Sequence, residues 1–221
     1  MDDVIFELLD SIQFGETVLL EYHTSFAPEF VLLKIAEYAK ARNLPLVIDD
    51  NFDTLPLIIT RLKVLGIKKD ILNSENVYVI KTGGKTKVGN VLVHIKDVSE
   101  PRIYVQEYRK GFQQLSNIER FINVVFGLER LFMLMKNPLE IYLSITDIQK
   151  YLGNKKRKAF YVMNANLLSS INPIVKHEFE RIASTIGEIT AVHSTAYIKI
   201  PKTMNLELVG NEVTIDMGDE L

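Results

Sequence analysis

Apolar and polar positions in the first third of the chain predict alternating strands and helices. Two apolar runs, Val18–Tyr22 and Leu44–Ile48, have strand length, and the second is apolar on both faces, as buried parallel strands are. The segment 28–42 between them predicts a helix, because Pro28 fits a first helical turn. A second helix is expected over Thr54–Leu65, ending at Gly66. This spacing predicts βαβ units and a parallel sheet.

The remaining two thirds continue the mixture of short apolar runs and longer apolar stripes. The short runs predict strands at Val77–Ile80, Val91–Ile95, Ile103–Tyr108, Leu139–Ile145, Ala159–Met163 and Thr195–Ile200. The longer stripes predict helices at Asn117–Met135 and Pro173–Ile186, in addition to an N-terminal helix at Val4–Ile12. At the C-terminus, Leu206–Val209 and Val213–Ile215 flank a Gly210-Asn211 turn, which predicts an antiparallel hairpin.

Composition narrows the possible classes of function. The chain of 221 residues has no cysteine, which excludes disulfides, thiolate nucleophiles and cysteine metal sites. Its net charge of −2 gives no global basic signature for nucleic acid. The acidic N-terminus and the absence of a long apolar stretch predict a soluble cytoplasmic protein without membrane contact. One domain over residues 1–221 is expected.

The first third resembles the start of a RecA/KaiC-type ATPase core. In that superfamily a glycine precedes the first strand and the phosphate-binding loop follows, which places Gly15 before the strand and Tyr22 at the loop's first position. Counting back from Gly66 puts Asp53 where KaiC-like proteins carry the second of two glutamates. A small archaeal family of unknown function within this superfamily shows a similar strand and a similar Ile-Asp-Asp after its second strand. The resemblance implies a three-layer RecA-like α/β fold with a largely parallel central sheet and a C-terminal antiparallel hairpin.

The phosphate-binding residues of that superfamily are missing. A P-loop needs glycines to wrap phosphate, a lysine for the β/γ-phosphates and a Ser or Thr for Mg²⁺. The lysine position holds Pro28, which also lacks an amide donor, and the next position holds Glu29. A metal-binding aspartate is also missing from the apolar run at Ile141–Ile145, since Asp147 follows too late. No cofactor and no metal are therefore expected.

Polar residues at the predicted carboxyl edge of the sheet are candidates for a ligand or partner cleft. Asp49, Asp50 and Asp53 follow the second strand, where they could form a Mg²⁺ or general-base site or simply cap the next helix. His23 is a loop residue that could act as an acid or base. None of the histidines has metal-ligand spacing. The candidates for the cleft are Tyr22, His23, Thr24, Ser25, Glu29, Asp49, Asp50 and Asp53.

Two basic stretches could contact phosphate backbones or be solvated loops. The first surrounds Gly83-Gly84, which predicts a hairpin turn rather than a phosphate loop. The basic residues of the two stretches are Lys81, Lys85 and Lys87, and Lys155, Lys156, Arg157 and Lys158.

Three functions remain open from the sequence. The first is a non-catalytic RecA/KaiC-like scaffold that binds a protein or peptide, with self-association as a further expectation. The apolar stripe ending at Met135 is then either a core helix or an exposed partner surface. The second is a nucleotide-binding protein or hydrolase that uses His23, Glu29 and the aspartates in a non-standard site. The third is a nucleic-acid accessory protein that uses the basic loops.

Overall fold

A computed structural model of the chain describes residues 2–23, 26–67, 71–72, 74–135, 137–171 and 173–218. Its helices and strands in chain order are α1 (Asp2–Ser11), β1 (Thr17–Tyr22), α2 (Ala27–Ala41), β2 (Leu46–Asn51), α3 (Thr54–Val64), β3 (Val77–Thr82), β4 (Asn90–Ile95), α4 (Pro101–Gln113), β5 (Phe121–Phe126), α5 (Leu128–Leu134), α6 (Pro138–Gln149), β6 (Arg157–Asn164), α7 (Ala165–Ile171), α8 (Pro173–Ile182), β7 (Thr185–Val192), β8 (Thr195–Lys202) and β9 (Glu212–Asp216).

The described strands form one sheet in the order β4-β3-β2-β5-β6-β1-β7-β8-β9. The strands from β4 to β7 in this order are parallel. At the other end, β8 and β9 are antiparallel additions. The expected α/β fold with a largely parallel sheet and an antiparallel C-terminal end is confirmed.

Helices cover both faces of the sheet and make three layers. The apolar side chains of α1, α2 and α3 pack in one cluster on the first face. Those of α4 to α8 pack in two clusters on the second face. Because both faces are covered, central strands such as β2 and β5 are buried along their whole length. Such strands are near-continuous apolar runs, which is the pattern that identified β2 in the sequence.

Side-chain alternation along β2 separates the predicted aspartates. Successive residues of a strand point to opposite faces of a sheet. Asp50 therefore lies on the face of α3, where its carboxylate accepts a hydrogen bond from the amide of Leu55. Asp49 lies on the other face, where Tyr108 of α4 donates a hydrogen bond to it. Adjacent acids in the sequence thus belong to two separate environments.

The middle of the chain differs from the prediction in three places. Ile103–Tyr108 lies within α4 rather than a strand, and Leu139–Ile145 lies within α6. The helix predicted at Asn117–Met135 is instead β5 followed by α5, with Gly127 between them in the left-handed region at φ 72°. The segment Ile141–Ile145, where a strand ending in a metal-binding aspartate would be expected, is therefore part of a helix.

Two predicted turns also differ from the structure. The glycine-rich segment 83–89 is not a hairpin turn, because the strands that it joins, β3 and β4, are parallel. The C-terminal hairpin pairs β9 with β8, whereas Leu206–Leu208 forms a short 3₁₀ helix.

The helix predicted to Ile186 ends at Ile182, and β7 begins at Thr185.

Across the described ranges, none of the helices combines the length and apolar character needed to cross a membrane.

Candidate functional site

The loop between β1 and α2 lies at the carboxyl edge of the sheet. Tyr22 ends β1, and α2 begins at Ala27. His23 is exposed in this loop. The other two loop residues predicted as cleft candidates, Thr24 and Ser25, lie outside the described residues. Of the described residues, Tyr22 at the end of β1 is half-buried and His23 in the loop is exposed.

Glu29 in the first turn of α2 is buried, although it carries a carboxylate. Arg61 of α3 approaches its Oε1 at 3.3 Å, and Oε2 has no hydrogen-bond partner among the described residues. Burial raises the pKa of Glu29, while hydrogen bonding to its own backbone amide and to Arg61 opposes the rise. The start of α2 is thus occupied by the protein's own carboxylate.

A second buried carboxylate, that of Glu129, lies near Tyr22 at the start of α5. Burial raises the pKa of Glu129 to about 7, and its Oε2 also lacks a hydrogen-bond partner within the described part of the chain. Burial and the charge of Glu129 raise the pKa of Tyr22 to about 12, against a hydrogen bond with the Asn164 side chain. This edge of the sheet therefore presents acidic and neutral polar groups.

Lys81 holds two of the predicted aspartates together on the α3 face. Its ammonium lies 2.8 Å from Asp50 Oδ2 and 2.6 Å from Asp53 Oδ1. Burial alone would lower the pKa of Lys81, but the two carboxylates raise it above its usual value. Lys81 is fully buried, so its predicted place in an exposed basic patch is wrong.

Asp53 orders the glycine-rich segment instead of capping α3. Its carboxylate makes no capping hydrogen bond to α3. Instead it accepts hydrogen bonds from the backbone N–H groups of Lys85 and Thr86, at 2.9 and 3.0 Å. A side chain at Gly84 would meet this carboxylate at 2.4 Å, which explains the glycine there. The acid that does bond to an amide in the first turn of α3 is Asp50. This cluster satisfies its charges internally, so it is a structural feature.

Asp49 lies deep on the opposite face with a raised pKa. Burial raises the pKa of the carboxyl to about 7, against the effects of the Tyr108 hydroxyl, the Arg157 charge and the Asn123 amide. The Asn123 amide donates its own hydrogen bond to the carbonyl of Val47 at 3.1 Å. Oδ1 of Asp49 has no hydrogen-bond partner among the described residues. Asp49 therefore keeps an unused acceptor.

Asp49 is one of the residues that line a cavity of about 190 Å³ between the sheet and helices α4, α5 and α6. Polar groups in its wall include Asp49 and the ring-bearing side chains Tyr104, Tyr108 and Tyr161. The apolar part of its wall is formed by Val105, Val125, Leu128, Leu131, Phe132 and Ile148. The sequence pattern does not predict this cavity, because segments of α4, β5 and α6 have the local pattern of another type of element.

Two of the basic residues predicted for the second surface patch are buried. The Arg157 guanidinium lies over the rings of Tyr151 and Tyr161, with its carbon 5.0 and 5.8 Å from the ring centroids. Lys158 donates to the carbonyl of Leu9 at 2.7 Å, and burial lowers its pKa to about 8. The basic residues that remain exposed in the two patches are Lys85, Lys87, Lys155 and Lys156.

Large apolar side chains are concentrated on the outer side of α5 and α6. Each is between 51 and 59% exposed, and together they define the α5–α6 surface: Met133, Leu134, Leu139, Tyr142 and Leu143. Those on α6 are three and four residues apart and so share one face of the helix. The apolar stripe predicted as one helix ending at Met135 thus has two parts: β5 is buried, and the end of α5 is exposed.

A metal centre has no support in the described part of the chain, where no group of three or more histidine, aspartate or glutamate side chains could hold an ion. The central strand β5 lies between β2 and β6 in the sheet. It ends at Phe126 and is followed by Gly127, so no carboxylate stands at the end of this strand to bind a metal.

Comparison with solved structures confirms the expected fold. A protein from Pyrococcus horikoshii OT3, project PH0250, is 34% identical, with a TM-score of 0.78 over 96% of this chain and 97% of that one. The KaiC-like protein PH0186 of the same organism is 13% identical, with a TM-score of 0.65 over 93 and 88% of the two chains. The uncharacterized P. horikoshii protein PH0321, solved in complex with an unknown peptide, is 13% identical, with a TM-score of 0.62 over 89% of each chain.

Comparison with family models identifies the family to which the chain belongs. No curated protein sequence matches the chain significantly. The model of a family described as Pyrococcus protein of unknown function, DUF257, matches residues 7–214. The chain therefore belongs to DUF257, a family of Pyrococcus proteins of unknown function with a RecA/KaiC-like fold.

Proposed function

We propose that this protein is a RecA/KaiC-like scaffold that binds a protein or peptide partner and does not use a nucleotide. The observation that carries the proposal is the α5–α6 surface, where five large apolar side chains are more than half exposed. Apolar patches of this kind on a protein surface mark sites of protein association. The partner is a segment that presents apolar side chains.

The composition of this surface suits a peptide. Met133 and the leucines have flexible apolar side chains that adapt to a partner's shape. Tyr142 adds an aromatic ring with a polar tip, a residue type enriched at the energetic centres of interfaces. The apolar face of α6 is continuous over one turn, which matches the spacing used when helices dock into apolar grooves.

The carboxyl edge of the sheet disfavours a phosphate-bearing ligand. A phosphate at the start of α2 would meet Glu29, and one nearer β6 would meet Glu129. Where these carboxyls are ionised, two like charges about 4 Å apart repel by roughly 4 kcal/mol at an effective dielectric of roughly 20, and Arg61 offsets part of the charge of Glu29. Pro28 has no amide proton to donate to phosphate. These features support a role in which the fold is used without a nucleotide.

The structure of PH0321 with an unknown peptide shows that a protein of this fold can carry a peptide ligand. At 13% identity that likeness concerns the fold alone, so it supports the class of partner and not the place where the partner binds.

The proposal is tested by selecting short peptides from a displayed library on the immobilised protein. Binding of the selected peptides is then measured by fluorescence anisotropy on a double variant, Leu139→Ser with Leu143→Ser. We expect at least about a 10-fold loss of affinity, since each lost interface contact is worth about 1 kcal/mol or more. Val64→Ser is the matched control, because Val64 is an exposed apolar residue on α3, on the other face of the sheet.

Three outcomes would contradict the proposal. The library could give no enriched peptide, or the peptides could bind the double variant as well as the wild type. In the third outcome the free protein self-associates and the double variant does not, which would show that a second copy covers this surface. Sedimentation velocity distinguishes that case from peptide binding.

A further inference from the structure

The cavity beneath α6 is separate from the surface just discussed, because it lies on the inner side of that helix. Ser144 and Ile148 point into the cavity, whereas Tyr142 and Leu143 are exposed on the outer side. The α5–α6 surface and the cavity can therefore be tested independently, and an occupant of the cavity does not depend on the proposed partner.

Asp49, in the wall of the cavity, has a carboxyl oxygen without a hydrogen-bond partner among the described residues. This oxygen is Oδ1, and the residue is 3% exposed. Its other oxygen accepts a hydrogen bond from Tyr108 at 2.5 Å, which fixes the orientation of the carboxyl group. A buried acceptor left without a donor destabilises a protein unless a water or a ligand supplies one. Above the pKa of about 7 of this carboxyl, both of its oxygens can only accept, so the occupant that satisfies Oδ1 must be a hydrogen-bond donor.

The rest of the cavity determines the shape and polarity of the occupant. Tyr104, Tyr108, Tyr161 and Phe132 bring aromatic rings to its wall, and rings pack favourably on other rings in offset or edge-on arrangements. A cavity of about 150 Å³ accommodates benzene, so about 190 Å³ accommodates a slightly larger ring system. At the mouth, Arg109 of α4 faces Asp147 of α6 at 3.9 Å, and both side chains are partly exposed.

We propose that this cavity binds a small aromatic molecule whose single N–H or O–H group donates a hydrogen bond to Oδ1 of Asp49. A flat ring system fits between the tyrosines and the apolar side chains of α5. A second donor or a charged group on the side of the ligand that faces Leu128, Leu131 and Val125 would be left unpaired. The ligand class is therefore that of phenols and indoles, not of nucleotides or sugars.

Indole is a suitable probe, because its one polar group is an N–H donor and because the chain contains no tryptophan. Its fluorescence, excited at the long-wavelength edge where tyrosine does not absorb, therefore reports binding without a tryptophan background from the protein. Indene has the same ring skeleton without the donor and is the matched control ligand, measured by displacement of indole. In buffer above the pKa of Asp49, we expect indole to bind at submillimolar concentration and at least about 10-fold more tightly than indene.

Variants locate the ligand within the structure. Asp49→Asn replaces the free acceptor with an amide, so we expect the preference for indole over indene to be lost. Ser144→Leu fills the cavity from α6, and we expect it to weaken both ligands by about 10-fold or more. Leu57→Ala, on the exposed side of α3, should leave both affinities unchanged.

The proposal is overturned if indole fails to bind at millimolar concentration, if indene binds as tightly as indole, or if Ser144→Leu has no effect. If Asp49→Asn fails to fold, as judged by circular dichroism, the indole-to-indene ratio and Ser144→Leu still decide the question. Loss of peptide binding in the double variant at α6 does not bear on these results.

Discussion

Lys81 is the residue on which the predicted acidic cluster depends. Asp50 and Asp53 had been candidates for a metal or general-base site, and the structure gives both of them the same buried ammonium as a partner. A buried ion pair of this kind contributes little net stability, yet removing one member leaves an uncompensated buried charge. Both carboxylates are therefore paired within the fold by the same ammonium group.

Lys81→Met should lower the free energy of unfolding by about 3–5 kcal/mol, because Asp50 is fully buried and would keep its charge without a partner. Urea denaturation measures the change. Lys85→Met is the matched control and should change stability by no more than about 0.5 kcal/mol, since the Lys85 side chain is exposed. Equal effects of the two substitutions would show that the cluster does not support the fold.

Gly127 is required at the junction of β5 and α5 for two reasons. Its φ of 72° is unfavourable for other residues, and an added Cβ would lie 2.2 Å from the Thr54 hydroxyl. Gly127→Ala should therefore cost at least about 2 kcal/mol more than Gly153→Ala in urea denaturation, since Gly153 has a similar φ of 82° and open space around it. Similar costs for both substitutions would contradict the close approach at Gly127.

At the scale of elements, the sequence predicts the first part of the fold and misassigns the middle. The elements β1, α2, β2 and α3 are found where periodicity and Pro28 place them. In the middle, the β-branched and aromatic residues around Ile103 favour a strand locally, but their contacts with the sheet stabilise α4. Tertiary packing therefore decides the outcome in that segment.

Local signals for two of the errors were present in the sequence. Asn137 before Pro138 has the pattern of an N-cap followed by a proline in the first turn of a helix. In the structure the Asn137 side chain accepts a hydrogen bond from the backbone N–H of Leu139 at 2.9 Å. Gly127 interrupts the long apolar stripe at the point where β5 gives way to α5. The cavity could not be predicted, because Asp49, Tyr108 and Val125 come from three distant segments whose element types had to be known first.

The start of α2 makes a prediction about nucleotides. ATP, ADP and GTP, each with and without Mg²⁺, should leave the melting temperature unchanged, because Pro28 lacks a donor and Glu29 repels phosphate. A ligand at 100 times its dissociation constant would add about 2.7 kcal/mol of stability, which a thermal-shift titration detects. A Mg²⁺-dependent increase that is altered in Glu29→Gln would show that phosphate binds at this edge.

At the scale of the whole molecule, the buried acids on the second face and at the carboxyl edge make stability depend on pH. The pKa values of Asp49 and Glu129 are both raised to about 7 by burial. Between their usual values and about 7 the folded protein binds more protons than the unfolded chain. Stability is therefore greatest on the acidic side of this window and falls as pH rises through it.

The melting temperature should accordingly fall between about pH 5 and pH 8, with each group contributing at most about 1.4 kcal/mol per pH unit. The double variant Asp49→Asn with Glu129→Gln removes both titrations and should flatten the profile. Differential scanning calorimetry across this range checks the prediction. A wild-type profile that is already flat, or one that rises with pH, would mean that these carboxyls are ionised in the folded state.

The fold presents two distinct features, an exposed apolar surface on α5 and α6 on the second face of the sheet and a carboxyl edge that carries the buried acids Glu29 and Glu129. We expect a partner to bind the apolar surface and the carboxyl edge to bind no phosphate. Hydrogen exchange of the wild-type protein with a selected peptide distinguishes the two places. Bound peptide should slow the exchange of backbone amides in α5 and α6, with no change at the start of α2. Protection at the start of α2, with α5 and α6 unchanged, would contradict it.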